Sequence, residues 1–156
     1  MQTKKINHIF CAVRGVPQSR ATVTKAIDLA IEHQARLTFV HVNNADFLIS
    51  AGPTLTSLPK VKKQIHSLSE FAMLVLCDRA KRRGVENVDY ILREGQILPQ
   101  ILVTLSELKP DLLVIGRPFE TEAGIFSLKE TDVDNFVQEV ENNLNITVIP
   151  VETKVE

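Results

Sequence analysis

Gly116 closes the apolar run DLLVIG (111–116), and a glycine there is where a loop able to cradle a phosphate could begin. Such a cradle needs glycines, because only they let the main chain lie against a polyphosphate and adopt positive φ. The residues that follow, RPFETEAG, are bulky and acidic. Glu120, Glu122, Glu130, Asp132 and Asp134 fall within or beside any phosphate loop at this place. Like charges facing a triphosphate without compensating cations cost binding energy. Arg14 and Arg117 offer the opposite chemistry. Two guanidiniums near the ends of apolar runs can hold a small anion or a carboxylate bidentately, helped by the amino end of a helix. The favoured expectation is that they pair with Glu120 or Glu122 and fill the crevice, as solvated neighbours commonly do.

The remaining reactive side chains point to structure rather than catalysis. His41 lies within an apolar run, where a histidine is usually a hydrogen-bonding residue, and His8, His33 and His66 lack a carboxylate or nucleophile at useful spacing. Cys11 and Cys77 have no CxxC spacing and no histidine at metal-finger spacing, so they are expected to be buried free thiols, and no metal or cofactor is expected. The KRRG run at 81–84, with Arg79, sits where a helix ends and positive charge favours the dipole. It lacks interleaved aromatics, and an aromatic content of 5% argues against a nucleic-acid surface.

These residues must be positioned by alternating elements. HIFCAV (8–13) reads as a buried strand closed by Arg14-Gly15-Val16-Pro17. Ser19 can cap a helix over 20–34, in which Val23, Ala26, Ile27, Ala30 and Ile31 recur at helical spacing. RLTFVHV (36–42) gives a second strand, followed by a long connection over 43–57 of the kind that often forms a lid. A long amphipathic helix over 58–83 follows, with Ser57 before it, Gly84 as its stop, and Val61, Ile65, Leu68, Ala72 and Val75 on one face. NVDYILREG supplies the third strand, ILPQILVTLSEL the third helix and DLLVIG the fourth strand, with Pro110 ending the helix between them. ETDVDNFVQEVENNL is the fourth helix and ITVIPVE the last strand.

Strands alternating with helices imply right-handed crossovers and a mostly parallel sheet covered on both faces, with ligands beyond the carboxyl ends of the strands. RGVPQS lacks the glycines of a dinucleotide fold, G-x-x-x-x-G-K-[ST] is absent throughout, and Arg14 and Arg93-Glu94 stand where a receiver domain needs acidic residues. At 156 residues, 44% hydrophobic, 24% charged and with net charge −1, the chain is expected to be one domain over 1–156. No pull toward nucleic acid or an anionic membrane is expected. MQTKK lacks a cleavage pattern and no apolar stretch is long enough to span a bilayer, so the expected address is the cytoplasm.

The arrangement resembles the universal stress protein family. The resemblance rests on IFCAVRGVPQS with the helix TKAIDLAIEHQARL, on FVHV closing the second strand, and on REGQILPQILVTLSELKPDLLVIG. It implies a three-layer α/β/α, Rossmann-like fold with five strands in the order 3-2-1-4-5, and ATP between strands one and four in some members. It also implies a dimer through the last strand, here expected to use Ile146, Val148 and Val151. Members that bind ATP are similar in an aspartate ending the first strand and in G-x2-G-x9-G-[ST] after the fourth. Here Gly116 is the first glycine. Without gaps the second falls on Phe119, the third on Lys129, the hydroxyl on Glu130 and the aspartate on Arg14; an insertion would be needed to bring Gly124 into register.

The chain is therefore expected not to bind ATP in the family's manner, and to act as a dimeric, non-catalytic binding or interaction module in the stress response. The alternative is a nucleotide- or small-anion-binding member with weak or no ATP hydrolase activity. In either case the crevice would be lined by Ala12, Val13, Arg14, Val42, Gly116 and Arg117. The last strand could pair with its twin or remain an isolated edge blunted by Pro150, which cannot donate to a ladder.

Overall fold

The computed structural model describes residues 4–14, 20–44, 58–117 and 130–152. Five strands form a single sheet: β1 (His8–Ala12), β2 (Arg36–Asn43), β3 (Val88–Glu94), β4 (Leu112–Arg117) and β5 (Thr147–Glu152), in the order β3-β2-β1-β4-β5. Every pairing is parallel. Among the described residues, four helices accompany them: α1 (Arg20–His33), α2 (Leu58–Arg83), α3 (Ile97–Leu108) and α4 (Glu130–Glu139), the last extended by a π-helical turn over Val140–Leu144.

The central strands are apolar runs rather than alternating ones because both of their faces are covered. Ile9 and Cys11 of β1, Leu37 and Phe39 of β2 and Leu112 and Val114 of β4 pack under Val23, Ala26, Ile27 and Ala30 of α1 and under Met73, Leu76, Cys77 and Ala80 of α2. Phe10, Ala12, Val40, Val42, Leu113 and Ile115 face the other way, against Ile101 and Leu105 of α3 and Phe136 of α4. The three-layer α/β/α architecture follows directly from these two faces. Cys11 and Cys77 are buried and unbridged, and burial pushes both thiols up from their ordinary pKa.

Local sequence decides where helices stop. The last turn of α2 closes at Gly84, whose φ of +113° a residue with a Cβ rarely adopts, and Val85 N–H then donates to Ala80 O at 3.0 Å. Lys109 (φ 44°) ends α3 in the left-handed region, its N–H donating to Leu105 O at 2.8 Å, and Pro110 prevents continuation. The caps expected at Ser19 and Ser57, and nearly all of the 43–57 connection, lie outside the described residues.

The facing of α2 differs from the one its spacing predicts. Met73, Leu76, Cys77 and Ala80 form the buried face, whereas Leu68 and Val75 are exposed. The cause is local: FAMLVLC is apolar in every direction around the helix, so period alone cannot select the inner face, and contact with β2 and β3 does so. In α1 the expected stripe holds for Val23, Ala26, Ile27 and Ala30, while Ile31 is partly exposed. A second correction concerns the sheet margin. β5 is an edge strand, as Pro150 implies, and Pro150 pairs in register with Ile115. Ile146, however, precedes the strand, and both it and Val148 are buried in the chain's own core beside Phe136 and Val140. They are not surface residues that a twin strand could contact.

Candidate functional site

Four of the six sequence-selected residues meet at the carboxyl edge of the sheet. Ala12 stands opposite Val40 on one side and Ile115 on the other, so Ala12 and Val13 lie beside Ile115 and Gly116. Val13 N–H donates to Val40 O at 2.8 Å, extending the β1–β2 ladder by one residue. Val42 lies further along β2, opposite Arg93 of β3. All four are buried, with Ala12 and Val42 facing α3 and α4 and Val13 facing α1 and α2. They form a floor rather than a reactive surface.

Arg14 emerges from this floor where β1 ends. It is part-buried, and burial lowers its pKa without removing its charge at neutral pH. The main chain of Arg117 ends β4 opposite Glu152; its side chain, together with Phe119, Glu120, Glu122, Gly124 and Lys129, lies outside the described residues.

Sequence reasoning did not find a polar network on the α2 side of the same edge. His41 Nδ1 lies 2.7 Å from Val13 O, His41 Nε2 lies 3.1 Å from Asn43 Oδ1, and Ser69 Oγ of α2 donates to Asn43 Oδ1 at 2.7 Å. Asn43 N–H and C=O remain available to the main chain, and Gly95 N–H donates to Asn43 O at 3.0 Å. A carbonyl only accepts, so His41 Nδ1 carries a proton. Nε2 can then donate to Asn43 Oδ1 only from the imidazolium. A neutral ring instead requires the amide turned, with Nδ2 toward the histidine. The turned amide gives Nδ2 a partner, which it otherwise lacks although Asn43 is only 9% exposed. His41 thereby acts as a clasp between the end of β1 and the end of β2. The signal for it was confined to the triplet HVN; the contribution of Ser69, from a different element, had none.

A second cluster occupies the opposite edge, at the amino ends of the strands. His8 Nε2 donates to Thr38 Oγ1 at 2.7 Å, Thr38 donates to Asp89 Oδ1 at 2.5 Å, and Arg36 pairs with Asp89. The main-chain N–H groups of Asn7 and His8 donate to Asp111 Oδ2 at 2.8 and 3.0 Å. Every member has a structural partner, and the cluster is separated from the crevice by the length of the strands. Among the described residues no group of His, Cys, Asp and Glu could hold a metal ion, and no helix is long and apolar enough to cross a membrane.

The family model described as "Universal stress protein family" matches residues 5–124. The chain belongs to the universal stress protein family. Solved structures agree in fold. The universal stress protein UspA from Lactobacillus plantarum superposes with a TM-score of 0.71 at 17% identity, covering 96% of this chain and 99% of that one. A universal stress protein solved in complex with cAMP gives 0.62 at 17% identity, covering 97% and 100%. The universal stress protein from Archaeoglobus fulgidus in complex with dAMP gives 0.55 at 14% identity, covering 93% and 96%. No curated protein matches significantly. At such identities the structures support the fold alone.

Proposed function

We propose that this universal stress protein does not bind ATP in the family's manner and acts as a dimeric, non-catalytic binding or interaction module of the cytoplasm. The observation that carries this reading is Arg14. A part-buried guanidinium stands at the end of β1, where the family resemblance implies an aspartate that meets the nucleoside. The sequence beyond Gly116 supports it, because Phe119, Lys129 and Glu130 replace two glycines and a hydroxyl that would cradle the phosphates. The buried floor of Ala12, Val13, Val42 and Gly116 provides no acid, base or nucleophile.

A second reading is favoured by the cAMP and dAMP complexes of two relatives. Arg14, with Arg117 at the end of the neighbouring strand, would take a small anion or a nucleotide monophosphate, with weak or no hydrolysis. A thermal-shift screen of ATP with Mg²⁺, AMP, cAMP and inorganic phosphate separates the two. The leading reading predicts no rise in melting temperature with any of them. A rise with AMP, cAMP or phosphate that Arg14→Ala removes establishes the second reading, and a rise with MgATP rejects the first.

The dimer would form along the outer edge of β5, where Val148 N–H donates to Glu141 Oε1 at 3.3 Å. Since Ile146 and Val148 are buried within the chain, pairing would rest on the strand's main chain and on the partly buried Ile149 and Val151.

A further inference from the structure

The outer face of α2 is the feature of this molecule that the crevice does not explain. Leu68, Phe71 and Val75 follow at i, i+3 and i+7, and Leu74 lies one turn from Phe71. Their exposures are 69%, 67%, 50% and 51%. They point away from Met73, Leu76, Cys77 and Ala80, which already bury the inner face of the helix. Four large apolar side chains over about two exposed turns form a contiguous stripe, in contrast to the scattered apolar residues that any surface carries.

The charge around the stripe is unusual for this chain. α2 holds Lys60, Lys62, Lys63, Arg79, Lys81, Arg82 and Arg83 against only Glu70 and Asp78, whereas the whole chain has a net charge of −1. Several of these groups are engaged within the fold: Arg83 by Asp28 at 2.8 Å, Arg79 by Thr24 at 2.9 Å, and Arg82 by Asp78 at 2.9 Å. Lys60, Lys63 and Lys81 are exposed and share the helical strip that contains Leu74. Lys63 and Lys81 bracket the apolar stripe at a separation of about 27 Å, from the rise of about 1.5 Å per residue.

We propose that this face is a docking site for an acidic amphipathic helix of a partner protein. Its apolar residues would interdigitate with Leu68, Phe71, Leu74 and Val75, and its carboxylates would meet the lysines at both ends. The stripe has the i, i+3, i+7 pattern of helix-on-helix packing. A second copy of this chain fits poorly. Antiparallel pairing centred on Phe71 sets Lys60 and Lys63 against the 79–82 cations of the partner, and parallel pairing sets each basic end against itself. The same cations would attract an anionic bilayer; the choice of a helix rests on the i, i+3, i+7 spacing of the stripe, which suits the seam of a packed helix. The proposal does not depend on what the crevice holds.

The test uses the full chain and a fluorescein-labelled peptide of about three heptads, with leucine at the seam positions and glutamate beside them. A control peptide keeps the leucines and carries lysine for glutamate. Fluorescence anisotropy is expected to show saturable binding of the acidic peptide, weakened about tenfold or more by Phe71→Asp and by the combined Lys60→Glu, Lys63→Glu and Lys81→Glu variant, and weakened by salt. Circular dichroism with urea titration checks that both variants remain folded, as expected for changes at exposed positions. No saturable binding, or equal binding of the lysine peptide, overturns the proposal. So does self-association of the chain that Phe71→Asp abolishes, which would assign the face to a second copy. Sedimentation with phosphatidylserine vesicles that Phe71→Asp prevents, without peptide binding, would assign it to a bilayer.

Discussion

Val13 directly follows the first strand, and its carbonyl is committed to His41 Nδ1 at 2.7 Å, so His41 ties the ends of β1 and β2 through its hydrogen bonds. Its expected tautomer follows from that geometry: Nδ1 keeps a proton in every ionisation state. Nitrogen chemical shifts of the His41 ring should therefore show a protonated Nδ1 at neutral pH, and a pyridine-type Nδ1 would refute the clasp. His8 supports a prediction with a defined sign. Burial, then Arg36, lowers its pKa from 6.5, against smaller opposing effects of Asp89 and Asp111. With the folded value depressed, the unfolded chain takes up the proton first. The contribution to stability is therefore intact above about pH 6.5 and is lost as the pH falls below it toward the folded value. His8→Gln can retain a donor to Thr38 Oγ1 but cannot titrate. Urea midpoints of the variant should fall less than those of the parent across that window. Equal pH dependence would show that His8 is not responsible.

At the scale of elements, α2 is the most informative, because its two faces are both apolar and only one is buried. Met73 is 2% exposed, so Met73→Ala removes buried contacts and leaves a cavity, with an expected cost of about 2 kcal/mol or more. Val75→Ala, at a half-exposed position, should change stability by about 0.5 kcal/mol or less. Chemical denaturation of the two variants compares them directly, and similar losses would mean that α2 is packed in the other orientation. The helix itself was legible in the sequence from its long period and from Gly84, but its rotation was not, since FAMLVLC offers an apolar residue in every direction. The same limit applies to β5. Pro150 marked an edge, yet nothing in ITVIPVE revealed that Ile146 and Val148 turn inward to meet Phe136 and Val140. That fact depends on α4, from which the strand is separated by the π-helical turn and by Asn145 and Ile146.

For the whole molecule, the order β3-β2-β1-β4-β5 determines which residues share an edge. It brings residues as distant as Ala12 and Ile115 side by side and places Arg14 beyond them. The alternation of apolar runs with helical periods, punctuated by Pro110 and Gly84, makes this architecture legible in the sequence. The floor of the crevice was readable for the same reason, because it consists of strand ends. The clasp was not, since Asn43 and Ser69 are brought together by tertiary packing rather than by a motif. If the outer edge of β5 mediates assembly, light scattering should report a dimer, and replacing Ile149 with arginine should yield the monomer. A monomer in the parent at high concentration would instead show that the edge is left unpaired.

Arg14 at the end of β1 and the bulky and acidic sequence after Gly116 underlie the proposal that this chain does not bind a nucleotide triphosphate in the family's manner. Isothermal titration calorimetry of the full chain with ATP and Mg²⁺ measures this most directly. The expected result is heat no greater than dilution throughout the titration. A saturable, one-to-one isotherm with ATP would contradict it.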